Sequence, residues 1–588
     1  MTDYKTPHNK IPLFLPHSSA STVTNKTGSW RYVQPVYDEK TSPCSAACPA
    51  GEDIGRVEML ASRNLIQQAW ETILEENPFP AVCGRVCFHN CESACNRGQM
   101  DDPVAIHHLE RFIGDAAISN QEIPQIEILP DNGKKVAIAG SGPSGLGAAY
   151  FLTRLGFACE VFEAQSEPGG ILRWGIPTYR LPRNVLQKEI SRIEKLGVTI
   201  HCRTPLSAET LQAFKTRYDA VFIGCGHGRA INLQIEGAQK AINGLQFLYN
   251  IRAQREMSLN TKRTAAVVGG GNTAIDVART LARLEIVPII VYRRRRQDMP
   301  AFGPELHMAL DEGVKLKTLL TPIAIKDAGS NSADHQTSYV VTLQKMKVSA
   351  TEIEGRARVV PDGDKTETLP VDYIFCAIGA EPEAPWYQAP TGESPHLDFS
   401  HCKLINDDIP IAYGGDLTNR VKSVADAIAS GKQAAIALDT YFKFGWDAVK
   451  KAVSGCQIGP GPNVSMTIYL GKERKDRSPH IVPYNEINTH YFKSAARVKT
   501  PVLPVEDRIQ SFLPVESTLA KEAALEEASR CFNCGICNAC DYCRLYCPEM
   551  SVIVEDERRH INLDYCKGCG LCVAECPRNA MALKEEKI

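Results

Sequence analysis

The chain is expected to fold as an α/β protein of several domains. Three observations carry this: a strand-like run that delivers Gly140-x-Gly142-x-x-Gly145 into a helical pattern, a second such run at Gly269-x-Gly271-x-x-Ala274, and two terminal cysteine runs of identical spacing. The first two predict Rossmann-like units. The third predicts a small α+β domain of the bacterial ferredoxin type. With 588 residues, 44% of them apolar, the chain can bury several cores, and at about 150 residues per domain roughly four units are expected. The formal net charge of -2 supplies no overall attraction to nucleic acid or an anionic membrane. Met1 to Ala20 hold only a short apolar patch, Ile11 to Leu15, broken by proline; that is too short for a signal sequence, and no run of about 18 apolar residues occurs elsewhere. A soluble, cytoplasmic protein is expected.

In the first unit, KKVAIAGSGPSGLG (residues 134–147) carries the glycines into LGAAYFLTRLG, and ACEVFEA then ends a second strand at Glu163. Glycines let the backbone approach a pyrophosphate at a helix N-terminus, here opened by Pro143 and Ser144, and an acid about 20 residues on accepts from ribose hydroxyls. A glycine-rich turn that merely packs is the alternative. In the second unit, TAAVVGGGNTAIDVAR (residues 264–279) repeats the pattern, but its second strand, IVPIIVY, runs into Arg293, Arg294, Arg295 and Arg296. Arginine pairs with a ribose 2′-phosphate where an acid would repel it, so NADPH is favoured over NADH; otherwise these arginines form only a solvated charge run. Residues 220–228 (AVFIGCGHG), 373–379 (YIFCAIG) and 411–416 (IAYGGD) look like return strands, the last before a helix starting near Val421.

The 22 cysteines sort into six between positions 44 and 95, ten after 530, and six scattered singly. Cys159, Cys202, Cys225, Cys376, Cys402 and Cys456 read as small core residues. Cys537, Cys540, Cys543 and Cys547-Pro548 repeat as Cys566, Cys569, Cys572 and Cys576-Pro577. In this C-x2-C-x2-C-x3-C-P arrangement the fourth cysteine ligates the other cluster, giving Cys537, Cys540, Cys543, Cys576 and Cys566, Cys569, Cys572, Cys547 for two [4Fe-4S] clusters. Disulfides do not suit a chain without a secretory start. Zinc accounts for C-x2-C pairs but not for the third cysteine and the Cys-Pro ending. Cys531 and Cys534 precede the first run and are read as non-ligands.

GGILRWGIPTYRLPRNVL (residues 169–186), GGGNTAIDVAR (269–279), YRRRRQDMPA (292–301) and the Gly-Asp helix resemble the glutamate synthase small-subunit family over residues 40 to 445. That family includes the electron-entry half of dihydropyrimidine dehydrogenase and the large subunit of NADH-dependent ferredoxin:NADP oxidoreductase. The resemblance implies FAD in the first unit, on Gly140, Gly142, Pro143, Ser144, Gly145, Glu163, Gly170, Arg173, Gly379, Gly415 and Asp416. It implies NAD(P)H in the second, on Gly269, Gly271, Asn272, Thr273, Arg293 and Arg294. It also implies an N-terminal helical iron–sulfur domain. There Cys48, Cys87, Cys91 and Glu110, on VAIHHLERF, make one full ligand set, although Glu110 also reads as an ordinary surface acid. Val36 and Glu39 stand where two further cysteines would, so Cys44 and Cys95 are left with too few partners, and Cys83 is unligated. Three [4Fe-4S] clusters are thus expected. The expected domains are 1–125 (helical, iron–sulfur), 126–240 with 370–447 (FAD), 241–369 (NAD(P)H), 448–520 (a linker) and 521–588 (ferredoxin-like).

A two-electron donor site, a flavin and one-electron clusters, without a second substrate domain, imply an NAD(P)H:acceptor oxidoreductase exchanging electrons with a separate redox protein. Chains with a fused C-terminal ferredoxin module include iron–sulfur flavoproteins that partner dissimilatory sulfite reductase, which residues 25–54 resemble most. The alternatives are an input subunit for another oxidoreductase (2-oxoacid, aromatic acyl-CoA or glutamate synthase-like) and a non-catalytic NAD(P)H-sensing adaptor.

Overall fold

Val136, Ala137, Ile138 and Ala139 are fully buried, as a strand covered on both faces by helices requires. The structure, a computed structural model, describes residues 24–586 apart from 256, 329–337, 354–355, 385–394 and 556–557; the apolar patch Ile11 to Leu15 lies outside the described residues. Strand Lys135–Ala139 pairs in parallel with Ala158–Phe162 and Ala220–Ile223 inside a seven-stranded sheet. The order is His396–Asp398, Lys403–Asn406, Pro410–Tyr413, Ala220–Ile223, Lys135–Ala139, Ala158–Phe162, Thr199–His201, with Lys403–Asn406 antiparallel to both of its neighbours. Helix Pro143–Arg154 lies against the long helix Val424–Phe444 at backbone contact: a Cβ at Gly431 would stand 2.5 Å from the Ser144 carbonyl oxygen. That closeness sets the Gly-Asp turn beside the glycine loop.

The second unit is a parallel five-stranded sheet in the order Lys315–Thr318, Val287–Tyr292, Thr264–Val268, Tyr373–Cys376, Ile242–Asn243. A three-stranded antiparallel sheet, Leu320–Asp327, Tyr339–Ile353 and Arg356–Val371, is inserted before its last return. Tyr373–Cys376 therefore belongs to the second unit, and the boundary expected at 370 moves beyond Cys376. A buried apolar run shows that a strand is central, not which sheet it joins.

The N-terminal helices Ile54–Ser62, Ile66–Leu74, Pro80–Val86 and Ile106–Ser119 pack through small residues. A Cβ at Gly84 would lie 2.4 Å from Arg111 N, and one at Gly114 would lie 2.6 Å from Ala81 N. This brings Cys87, at the end of one helix, under Glu110 on the other.

The segment expected as a linker is an ordered strap. Its strand Ser478–Ile481 pairs in parallel with Lys40–Thr41. Glu76, 1% exposed, binds it by accepting from Met466 N at 2.8 Å and Thr467 N at 3.2 Å, while Lys432 Nζ donates at 2.6 Å from the long helix. Burial would raise this carboxyl, but Lys432 and Arg474 hold it below its ordinary range. Removing one partner from such a buried pair costs about 3–5 kcal/mol.

Both chain ends build the last domain. Met581–Glu585 pairs antiparallel with Val33–Tyr37, and Arg31 forks onto Glu586 at 2.6 and 2.8 Å. Helix Lys521–Ser529, placed with the ferredoxin module by sequence, docks instead on the N-terminal domain. Its Glu527 accepts from Ala105 N and from Val498 N, both at 2.8 Å, and Ala524 and Ala528 join the N-terminal core.

Candidate functional site

The two glycine loops are built alike. Gly140 N donates to Phe162 O at 2.8 Å and Gly269 N to Val291 O at 3.1 Å, which fixes each loop at its strand end. A Cβ at Gly142 or Gly271 would meet nothing within 4 Å, whereas one at Gly145 would stand 1.9 Å from Gly140 O. The middle glycines thus face open space at a helix N-terminus, where a pyrophosphate fits, and Gly145 permits helix–strand contact. Glu163 follows strand Ala158–Phe162 and accepts from Ser141 N at 3.0 Å and Gln165 N at 2.7 Å. Gly170 lies over the loop, a Cβ there reaching Gly142 Cα at 2.8 Å. Ser144 Oγ and Ser430 Oγ are 2.7 Å apart, and Ser430 Oγ accepts from Gly415 N at 2.7 Å. Asp416 is placed beside the loop in this way, its carboxyl raised by burial. Asn419, 3% exposed, has both side-chain amide atoms buried without a partner, as expected of a residue that waits for a cofactor. The residues of the first unit therefore fit FAD.

Arg173 is a brace. Its Nε donates to Pro168 O at 2.5 Å, Nη1 to Glu167 at 2.7 Å and Nη2 to Gln187 at 2.6 Å, holding the 167–170 loop over the glycines. Gly379, with φ of +133°, follows the second-unit strand Tyr373–Cys376 at the crossing between units. In the second unit, Asn272 Oδ1 accepts from Phe302 N at 2.8 Å, and Thr273 opens the same helix. By backbone pairing Tyr292, not an arginine, occupies the position equivalent to Glu163; its hydroxyl donates to Asp298 O at 2.8 Å. Arg293 follows, exposed, and Arg294 is half-buried. Arg295 is spent on Asp298, at 2.8 and 2.9 Å. The position of Glu163 thus carries no acid here, and the exposed residue that follows it is an arginine, a side-chain type able to pair with a 2′-phosphate.

Cys537, Cys540, Cys543 and Cys576 wall one cavity, the crossed set expected from the spacing. Tyr37 Oη lies 3.4 Å from Cys543 Sγ, and Ala580 N donates to Cys576 Sγ at 3.3 Å. Cys572, pushed up to about 12 by burial, also feels Cys547, Cys566 and Cys569, the members of the other set, together with Cys543 of the first. Ser551 N donates to Cys547 Sγ at 3.2 Å. Backbone donors to sulfur suit thiolate ligands of a cluster.

In the N-terminal domain Cys48 feels Cys87 and Glu110, and Cys91 feels Cys48 and Cys87, each thiol raised chiefly by burial. Glu110 is 9% exposed, so it is not a surface acid. Burial, then Glu52, raises its carboxyl; Asn77 Nδ2 donates to it at 3.0 Å and to Glu52 at 2.7 Å. Cys83 lies against the same group, raised by burial and by Glu110.

Cys44, Cys95, Cys531 and Cys534, all expected outside any ligand set, wall a second cavity. Sequence reasoning missed this convergence because helix Lys521–Ser529 folds back on the N-terminal domain. A signal was present: two thiols lacked partners at one end of the chain while two stood in excess at the other.

Residues 36–122 match the family described as dihydropyrimidine dehydrogenase domain II, 4Fe-4S cluster. Residues 134–394 match the pyridine nucleotide-disulphide oxidoreductase family and residues 559–582 the 4Fe-4S binding domain. The chain is 31% identical over 525 residues to the NADP(+)-dependent formate dehydrogenase subunit beta of Moorella thermoacetica, covering 84% of this chain and 70% of that one. It is 32% identical over 414 residues to the NAD-dependent dihydropyrimidine dehydrogenase subunit PreT of Salmonella typhimurium, covering 68% and 91%. With the NADPH-Fe(3+) oxidoreductase subunit beta of Geobacter sulfurreducens it shares 34% over 355 residues, 59% of this chain and 52% of that relative, so it spans about half the latter's length. Among the described residues no helix is long and apolar enough to cross a membrane.

Proposed function

Because the chain belongs to the family of NAD(P)H-dependent iron–sulfur flavoprotein oxidoreductase subunits, we propose that it is an NADPH:acceptor oxidoreductase serving a separate redox protein. FAD is assigned to the first nucleotide unit, NADPH to the second, and three [4Fe-4S] clusters to the ligand sets foreseen at the two ends. A bound flavin accepts hydride as an electron pair and each cluster carries one electron, so together they match a two-electron donor to a one-electron acceptor.

The observation that carries this reading is the pairing, in one chain, of two open glycine loops with a cavity walled by four cysteines. This chain's residues supply the rest. Gly142 and Gly271 admit the two pyrophosphates, Glu163 and Asp416 face the ribose and ribityl hydroxyls of FAD, and Arg293 takes the 2′-phosphate. Cys540 and Cys569 are exposed, and Leu545 and Met550, 74% and 83% exposed, flank Cys547, so the last domain offers an apolar face to a protein partner. The resemblance of residues 25–54 makes a dissimilatory sulfite reductase-type enzyme the partner class to test first.

Anaerobically purified protein with bound FAD is expected to reduce a one-electron dye with NADPH. Dye reduction lacking, despite a full flavin and iron load, would contradict the reading.

A further inference from the structure

Two cavities of this chain are each walled by four cysteines. One is the site that the ferredoxin-type spacing assigns to a [4Fe-4S] cluster. The other has the same number of thiols. We propose that Cys44, Cys95, Cys531 and Cys534 hold a fourth [4Fe-4S] cluster, two ligands coming from each end of the chain.

The chemistry of the wall favours a cluster over a single ion or a disulfide. All four cysteines are free thiols. Tetrahedral zinc, with Zn–S near 2.3 Å, draws its sulfurs to about 3.8 Å from one another. Among the described residues the set of three donor atoms within 4.8 Å of one another is His89, Glu92 and His107, and no three cysteine sulfurs are that close. A cubane, with iron at its corners, holds its thiolates further apart than one ion does.

The sulfurs are also supplied with donors as the ferredoxin ligands are. Asn533 N donates to Cys531 Sγ at 3.3 Å and Asn96 Nδ2 to Cys534 Sγ at 3.4 Å, matching the contacts at Cys547 and Cys576. Ser42 Oγ lies 3.4 Å from Cys44 Sγ. Glu58, 2% exposed, lines the same cavity with Oε2 buried and unpartnered.

The geometry is held from both sides. Asn533 Nδ2 donates to Gly55 O at 3.0 Å, and Lys40 N donates to Gly535 O at 2.8 Å. Gly535 has φ of +74°, and a Cβ there would stand 2.7 Å from Lys40 O, so only glycine allows the Cys534 loop to lie so close. Arg97 Nη1 donates to Arg530 O at 3.1 Å, fixing the residue before Cys531.

The site adjoins both neighbouring ligand sets: Cys44 lies one helical turn from Cys48, whose N donates to Cys44 O at 3.1 Å, and Cys534 lies three residues before Cys537.

The test is iron, sulfide and zinc analysis of the anaerobically purified full chain and of a Cys531→Ser/Cys534→Ser double variant, with reduced-state electron paramagnetic resonance of both. About 16 irons per chain are expected in the unaltered protein, at four per cluster, and about four fewer in the variant, with FAD and the ferredoxin-type signals retained. An unchanged iron content and spectrum, or about one zinc per chain lost with the two cysteines, would overturn the proposal. Should the double variant fail to fold, Cys95→Ser decides. Loss of about four irons, or a new three-iron signal, supports the site; iron and spectrum identical to the unaltered protein overturn it.

Discussion

Replacing Arg293 with Ala tests the nucleotide assignment most sharply. Arg295 is already paired with Asp298 and Tyr292 fills the acid position of the first unit, so the proposed discrimination between NADPH and NADH would rest on Arg293 with help from Arg294. A hydrogen bond to a charged group contributes about 1.5–3 kcal/mol, and each 1.4 kcal/mol is about tenfold in affinity. Arg293 is exposed, so solvent screens the pair and the lower end applies, about tenfold for the single variant. Removing Arg294 as well is expected to raise the NADPH KM about 10- to 100-fold in all, with the NADH KM nearly unchanged. Steady-state dye reduction with both nucleotides measures this. Equal effects on the two KM values would mean that the arginines are only a solvated face.

Other outcomes follow from the same contacts. Burial would raise Asp53, yet Arg477 and Arg474 hold it down to about 2 against its ordinary 3.8. A depressed carboxylate stabilises the fold above its unfolded pKa and loses that contribution as pH falls through the folded one, so about 2 kcal/mol should vanish between roughly pH 4 and 2; Asp53→Asn should flatten this part of the acid-unfolding curve, and an unaltered curve would remove the clamp from the account. Glu110→Ala is expected to cost about four irons or to leave a three-iron signal, whereas full iron and an unchanged spectrum would shift the fourth ligand to Cys83. Cys569→Ser should leave NADPH-dependent bleaching of the flavin intact while slowing reduction of the protein partner, and equal partner reduction by both proteins would place the electron exit elsewhere.

The first nucleotide unit was legible because its signal is local: Gly140 to Glu163 lie within one strand–helix–strand. Tyr373–Cys376 read correctly as a buried strand, but its sheet did not, since pairing with Thr264–Val268 spans about a hundred residues that include an inserted antiparallel sheet. The last domain was recognised from Cys-Pro spacing, yet nothing in Val33–Tyr37 announces that it completes a sheet with Met581–Glu585. The same long-range closure hid the second cavity. Cys44 and Cys95 were judged by near neighbours, and Cys531 and Cys534 by the run they precede, while the fold-back of Lys521–Ser529 brings the four together. At Arg293 the residue type was readable, but its offset from the Glu163 position emerged only from strand register.

The central claim, that nicotinamide-derived electrons enter at the flavin and spread to the clusters of this one chain, is tested most directly by anaerobic spectroscopic titration of the cofactor-loaded protein with NADPH. Bleaching of the flavin band, followed by loss of iron–sulfur absorbance and appearance of reduced-cluster signals in electron paramagnetic resonance, is the expected result. NADPH binding that leaves the flavin oxidised would contradict it.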